Sequence, residues 1–234
     1  MKAIILAGGL GTRLRSVVYD IPKSMADING RPFLEFQIDT LIAQGIKEIV
    51  LSVGYKSEVI INHFGEHYKD TPIRYVMEDE PLGTGGAIMK SLDEVDDGCI
   101  YVLNGDSIFM VDLVEMMAQH TAMGSDATLA LKPMTHFSRY GRVVINEENR
   151  VINFLEKQPC DEGLISGGIY LVDVPSLKSL TFPEKFSIER DYFEKHLTHH
   201  NIAGHLSDGY FLDIGIPEDY QRAQEDFHSL FHRK

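Results

Sequence analysis

KAIILAGGLGTRLRSVVYDIPKSM, residues 2–25, joins a short apolar run to a glycine-rich turn and then to Arg13, Arg15 and Lys23. Ala3–Ala7, with its paired isoleucines, has the pattern of a strand covered on both faces. The run breaks at Gly8 and Gly9, and Gly11 follows two residues on. Backbone of this kind reaches positive φ and can turn successive N–H groups toward an anion. Two familiar phosphate motifs fail here. A Walker A loop needs Gly, four residues and then Gly-Lys-Ser/Thr, which does not occur. A dinucleotide fingerprint counted from Gly9 and Gly11 needs glycine where Leu14 stands. An ordinary strand-to-helix turn and a third kind of phosphate turn both remain open, and the cations favour the second.

Outward from this stretch the pattern alternates. Phe33–Ala43 has helical spacing with Gly45 as its stop, and Ile49–Val53 reads as a strand. Val59–Phe64 reads as a short helix, and Ile73–Met77 as the next strand. Such an order predicts a mostly parallel sheet with covering helices, with ligands at the carboxyl ends of the strands. A second glycine cluster, Pro81-Leu-Gly-Thr-Gly-Gly86, opens a helix toward Leu92, and the strand Cys99–Leu103 ends in Asn104-Gly105-Asp106. A helix is expected over Leu113–Met123 and a strand over Ala127–Leu131. Val143–Ile145 and Val151–Phe154 flank a polar connection and read as an antiparallel hairpin. Leu164–Val172 is a strand with Gly167 and Gly168 inside it, which marks a close approach. Ile188–Leu197 reads as a helix, Ile202–Leu206 and Tyr210–Leu212 as strands, and Glu218–Phe231 as the last helix.

A chain of 234 residues buries a large core, and its net charge of −13 disfavours nucleic acid or an anionic membrane as a partner. A phosphate ligand would therefore need local cations and a metal. No run of about eighteen apolar residues and no leader pattern occurs, so a cytoplasmic protein is expected. Cys99 and Cys160 form no CxxC pair. His63 and His67 lack the glutamate of HExxH, which leaves zinc poorly supported, and His196, His199 and His200 read as exposed. No GxSxG elbow supports a serine hydrolase.

Asp106 and Asp213 each follow a short apolar strand. Taken singly, each reads as a cap or turn residue; together with a phosphate turn they suit Mg2+, which takes one or two carboxylates. Glu156-Lys157 taken alone is a solvated pair, since neighbours on a strand face opposite ways.

These residues resemble the sugar-1-phosphate nucleotidyltransferase family. GGLGTRL at Gly8–Leu14 and Pro22-Lys23-Ser24-Met25 match its signature. Pro81–Gly86, Asn104-Gly105-Asp106, Tyr140-Gly141, Glu156-Lys157, Gly167-Gly168 and Asp213-Ile-Gly-Ile-Pro217 follow in the family's order. Within the family, RSVVYDIPKSM is most similar to guanylyltransferases of D-glycero-D-manno-heptose 1-phosphate, with those of mannose 1-phosphate next. The resemblance implies an α/β, Rossmann-like, mostly parallel mixed sheet with helices on both faces and a small antiparallel hairpin elaboration. It implies a single domain over 1–234, with a sugar-binding elaboration at about 133–172.

It further implies attack of a sugar-1-phosphate oxygen on the α-phosphorus of a nucleoside triphosphate, with pyrophosphate leaving. Arg13 and Lys23 would be catalytic. Leu6, Ala7, Gly8, Gly9, Gly11, Thr12, Glu78, Pro81, Gly83 and Thr84 would bind the nucleotide. Asn104, Gly141, Glu156, Lys157 and Gly168 would bind the sugar phosphate, and Asp106 and Asp213 would hold Mg2+. Ser24 stands where the family commonly has a second proline, which would stiffen the segment carrying Lys23. Glu78 lies where uridylyl and thymidylyl relatives tend to carry glutamine; a carboxylate accepts from the adjacent N1–H and N2–H of guanine, so GTP is the expected donor. A surface acid in the run Glu78-Asp79-Glu80 is the other reading. UTP, CTP or dTTP as donor, a nucleotide-sugar-binding regulatory subunit and a dinucleotide-dependent oxidoreductase are the alternatives, and homo-oligomers are left open.

Overall fold

A computed structural model describes residues 1–9, 20–95 and 98–231. The chain is an α/β protein with a mixed, mostly parallel central sheet, helices and small antiparallel sheets, as the alternating pattern predicts. It divides into two compact units, the first comprising Met1–Pro81, Leu103–Ile108 and Leu212–Lys234 and the second Leu82–Val102 and Phe109–Phe211.

In the first unit the strands Lys2–Leu6, Glu48–Val53 and Thr71–Met77 run parallel, with Leu6 opposite Ser52 and Val53 opposite Met77. Ala3, Ile4 and Ile5 have no exposed surface, which is why the strand reads as an unbroken apolar run. The register brings the residues after each strand, Ala7 to Gly9, Gly54 and Glu78, to one end of the sheet. The helix Phe33–Ala43 falls where its spacing predicts, with Gly45 at φ +86° just beyond it. Against it lies the last helix, Pro217–Phe231, whose Phe227 ring stands 5.8 Å from Phe33 and 5.0 Å from Phe36. Burying a phenylalanine in this way contributes about 1.5–3 kcal/mol. The segment that leads from Asp213 into that helix is thereby anchored at its far end.

In the second unit the helix Gly83–Ser91 is followed by Cys99–Val102, the start of a strand that runs on to Asn104 in the first unit. The helix Leu113–Met123 has a carboxylate cap, Asp112 accepting from the Glu115 N–H at 2.9 Å, and ends at Gly124 with φ +56°. The hairpin Arg142–Ile145 with Val151–Leu155 is antiparallel as expected. It belongs to a larger antiparallel set, however. Ala127–Phe137 and Cys160–Asp173 both run well past their apolar cores and pair from Phe137 opposite Cys160 to Ala127 opposite Val172. Their outer halves carry polar residues, so only the ladder, and not apolar alternation, marks them as strand.

The helix expected over 188–197 is present, with Ile188–Phe193 wound as a π-turn and Glu194–His196 as α. One expectation needs correction: His196 and His200 are half-buried and not exposed, because their rings lie 5.7 and 5.6 Å from that of buried Tyr192, and His200 Nδ1 is 3.4 Å from Asp126 Oδ2. No helix among the described residues is long and apolar enough to cross a membrane.

Candidate active site

Lys23 opens a short 3-10 turn, Lys23–Met25. The Met25 N–H donates to Pro22 O at 2.9 Å and the Ala26 N–H to Lys23 O at 3.0 Å, so backbone bonds close the turn with serine rather than proline at its second position. Ser24 is 3% exposed, and its hydroxyl has no hydrogen-bond partner among the described residues. The turn aims Lys23 inward: the side chain is only 10% exposed, and Nζ lies 2.6 Å from Asp106 Oδ2 and 3.4 Å from Asp213 Oδ1. The spacing of 83 and 190 residues from lysine to each aspartate explains why sequence order alone leaves them unconnected.

Each carboxylate is held by its own backbone. The Gly105 N–H donates to Leu6 O at 3.0 Å, and a Cβ built on Gly105 would stand 2.6 Å from that oxygen and 3.2 Å from Ala7 Cα. Only glycine lets the Asn104-Gly105-Asp106 turn lie this close to the end of the first strand. The Ile214 N–H donates to Asp106 O at 3.0 Å, tying the two aspartate segments together. Burial pushes the Asp213 carboxyl above the usual carboxylate range, and the Asp106 charge adds to the rise; Lys23 and the Gly215 N–H pull it back. Among the described residues one lysine thus serves two carboxylates, which leaves the pair short of positive charge. Hard oxygen donors with surplus negative charge fit Mg2+, which needs few protein ligands. Among the described residues no cluster of three metal-ligating side chains occurs, so two carboxylates are what this centre offers.

Next to this centre, in the same unit, lies the turn after the first strand. The Ala7 N–H is taken by Ser52 O at 2.8 Å, and Leu6 O accepts from Gly105. Gly9 is exposed, and a Cβ there would meet nothing within 4 Å. A Cβ on Gly8 would stand 2.5 Å from Glu78 Oε1 and 3.3 Å from Gly54 N, so Gly8 and Glu78 are neighbours. Fully buried Ser52 donates its hydroxyl to that same Oε1 at 2.8 Å. Gly11, Thr12 and Arg13 lie outside the described residues.

The second unit places the remaining candidates except Pro81 and Asn104, which belong to the first. Gly83 has φ +73°, and a Cβ on it would stand 2.5 Å from Phe186 O; Cβ atoms on Gly85 and Gly86 would collide with the Phe186 ring and Glu184 O. This cluster has a packing role that the sequence reading lacks. The Thr84 hydroxyl donates to Glu189 Oε2 at 2.8 Å and accepts from the Ile188 N–H at 3.0 Å. Glu189 also takes the hydroxyls of Ser187 at 2.8 Å and Tyr170 at 2.9 Å. Gly168, at φ +75°, sits in a bulge between Ser166 and Tyr170. Glu156 and Lys157 are exposed just past the strand Val151–Leu155, and Gly141 approaches Leu155 O, 3.1 Å from where its Cβ would lie. Pro81 is exposed and Asn104 half-buried.

Three polar residues at these positions escaped the sequence reading. Gln37 lies on the buried face of its helix, four residues from Phe33 and from Leu41, and Ser52 lies inside an apolar strand; a polar residue at an apolar position was the available signal. Glu189 carried none.

A lysine shared by two strand-end aspartates, beside a glycine turn at the carboxyl end of a parallel sheet, is the equipment of phosphoryl chemistry. The chain belongs to the nucleotidyl transferase family, whose profile matches residues 2–229, and it is an enzyme of that class. It is 47% identical over 226 residues to the D-glycero-alpha-D-manno-heptose 1-phosphate guanylyltransferase of Aneurinibacillus thermoaerophilus, covering 97% of this chain and 98% of that protein. It is also 47% identical over 220 residues to the enzyme of the same name from Campylobacter jejuni, covering 94% and 97%. The crystal structure of HddC from Yersinia pseudotuberculosis complexed with GMP-PN matches at a TM-score of 0.86 and 35% identity, covering 97% of this chain and 99% of that one.

Proposed function

We propose that the chain transfers the guanylyl group of GTP to D-glycero-D-manno-heptose 1-phosphate, giving the GDP-sugar and pyrophosphate. The observation that carries this reading is the Lys23 ammonium held between Asp106 and Asp213. The full-length likeness to heptose 1-phosphate guanylyltransferases supports the choice of donor and acceptor. In the transfer, an oxygen of the sugar phosphate forms a bond to the α-phosphorus. The bond from that phosphorus to the α–β bridging oxygen breaks, and its electron pair leaves with pyrophosphate.

The reaction needs positioning and charge neutralisation more than a protein nucleophile. Of the three N–H donors of Lys23, two are directed at the aspartates; the third has no partner among the described residues and would meet an α-phosphate oxygen as charge grows on it. Asp106 and Asp213 would hold Mg2+. When bound, the ion supplies neutralisation of the phosphate oxygens in the way common to phosphoryl transfer. Gly8 and Gly9 would offer backbone N–H groups to the triphosphate, with Gly11, Thr12 and Arg13 in the roles their sequence resemblance gives them. Gly141, Glu156, Lys157 and Gly168 would bind the sugar phosphate, Lys157 through its charge, with Asn104 beside them in role.

Glu78 would read guanine. Its carboxylate stands against Gly8 and accepts the Ser52 hydroxyl, which orients it, and a carboxylate accepts where guanine donates. Changing Glu78 to Gln is expected to lower the preference for GTP over UTP about tenfold, measured as a ratio of kcat/KM values. Unchanged selectivity would remove Glu78 from base recognition.

The reading takes residues 1–234 as one functional domain, at work in the cytoplasm where nucleoside triphosphates are supplied. It is tested by following pyrophosphate release for GTP, UTP, CTP and dTTP against heptose, mannose and glucose 1-phosphates, with and without Mg2+. Release that needs GTP, the heptose phosphate and Mg2+ together is expected. No release from any combination would favour a regulatory nucleotide-sugar-binding subunit instead.

A further inference from the structure

We propose that Gln37 is the positioning residue of the metal-binding turn: a buried amide that fixes Asp106 through the backbone on either side of it. The proposal rests on reading Asp106 as a metal carboxylate. Gln37 is 2% exposed, on a helix face otherwise made of Phe33, Leu34, Phe36, Ile38 and Leu41. Its Nε2 donates to Asn104 O at 2.8 Å and also to Ser107 O. These two carbonyls flank Gly105-Asp106, so a single NH2 group spans the turn and spends both of its N–H bonds on it. The other end of the same amide, Oε1, is buried with no hydrogen-bond partner among the described residues.

A glutamine that served only to fill the helix face would be replaced by leucine or methionine without loss, and its unpartnered oxygen is a cost to the fold. The donor end is what the site needs. With Gly105 bonded to Leu6 O and Ile214 to Asp106 O, the turn is tied to the first strand and to the Asp213 segment. Gln37 adds the third tie, from the helix side, and the only one of the three made by a side chain. Residues that orient a metal ligand typically change metal affinity or activity about 10- to 100-fold when removed.

The test titrates Mn2+ into the full chain, alone and with a non-reactive GTP analogue, and follows bound metal by electron paramagnetic resonance. Wild type, Gln37→Met, Asp106→Asn and Ile38→Val are compared, with kcat and KM measured on the same preparations. Gln37→Met keeps the volume and removes both donors. It is expected to weaken Mn2+ about tenfold or more and to lower kcat to a similar degree, with KM for the sugar phosphate within about twofold. Ile38→Val, which loosens the same helix face but has no hydrogen bond to lose, is expected to bind Mn2+ as wild type does. If Asp106→Asn loses Mn2+ while Gln37→Met retains it with wild-type kcat, the role given to Gln37 is wrong and the metal reading stands. If Asp106→Asn itself binds Mn2+ normally, the metal reading fails, and the inference with it. Equal losses in Gln37→Met and Ile38→Val would reduce Gln37 to a packing residue.

Discussion

Lys23→Ala will lower kcat for pyrophosphate release by at least about a hundredfold. The lysine is the one cation that the described residues place on the aspartate pair, at 2.6 Å from Asp106 and 3.4 Å from Asp213. Its loss has two effects. The first is chemical: the ammonium that would meet the charge developing on the α-phosphate is gone. The second is electrostatic, because Asp213 is already driven toward its neutral form by burial and by the Asp106 charge. Without Lys23 the upward push on the Asp213 carboxyl grows. Lys23→Arg is not a conservative control, since a planar guanidinium does not present the compact point charge of an ammonium. GTP affinity, measured by titration, should change far less than kcat. Intact turnover in Lys23→Ala would overturn the mechanism while leaving the fold in place.

Gly105→Ala will also inactivate the enzyme, through geometry instead of charge. The added methyl would lie 2.6 Å from Leu6 O and 3.2 Å from Ala7 Cα, both backbone atoms at the end of a strand buried on both faces. A flexible side chain could swing away, but the end of a parallel ladder cannot. The Asn104–Ser107 turn must therefore move, and Asp106 with it. Overpacking of this kind costs about 1–3 kcal/mol of stability, and displacing a reacting group by about an ångström can cost a hundredfold in rate. Denaturant unfolding and kcat measured on one preparation separate the two effects. Wild-type kcat in a destabilised Gly105→Ala protein would show that the turn tolerates the shift.

The parts of the fold that the sequence makes legible are those where burial writes a local pattern. Ala3–Ala7 is covered on both faces and reads as an apolar run, and Phe33–Ala43 buries one face and reads at helical spacing. The lysine and aspartates were legible as residue types at strand ends, but their meeting was not, because it depends on how three distant segments pack. The second glycine cluster shows the converse. Gly83, Gly85 and Gly86 look like another phosphate turn, yet each is also demanded by the backbone or ring of residues 184–186, about a hundred residues further on. Residues 188–197 have helical composition and the helix forms, while its π winding and the convergence of the Thr84 and Tyr170 hydroxyls on Glu189 are encoded by no local pattern. Ser24 illustrates a substitution whose effect the backbone absorbs: the turn closes through its own hydrogen bonds, with no proline at that position.

The central claim is that a sugar-phosphate oxygen attacks the α-phosphorus of GTP at the Lys23, Asp106 and Asp213 centre. Sugar 1-phosphate labelled with 18O in its terminal phosphate oxygens, incubated with GTP, Mg2+ and the full chain, tests it by 31P NMR of the products. The account predicts 18O on the oxygen bridging the two phosphorus atoms of the GDP-sugar, unlabelled pyrophosphate, and the same reaction nearly abolished in Lys23→Ala. Label appearing in pyrophosphate, or product forming at the wild-type rate without Lys23, would contradict it.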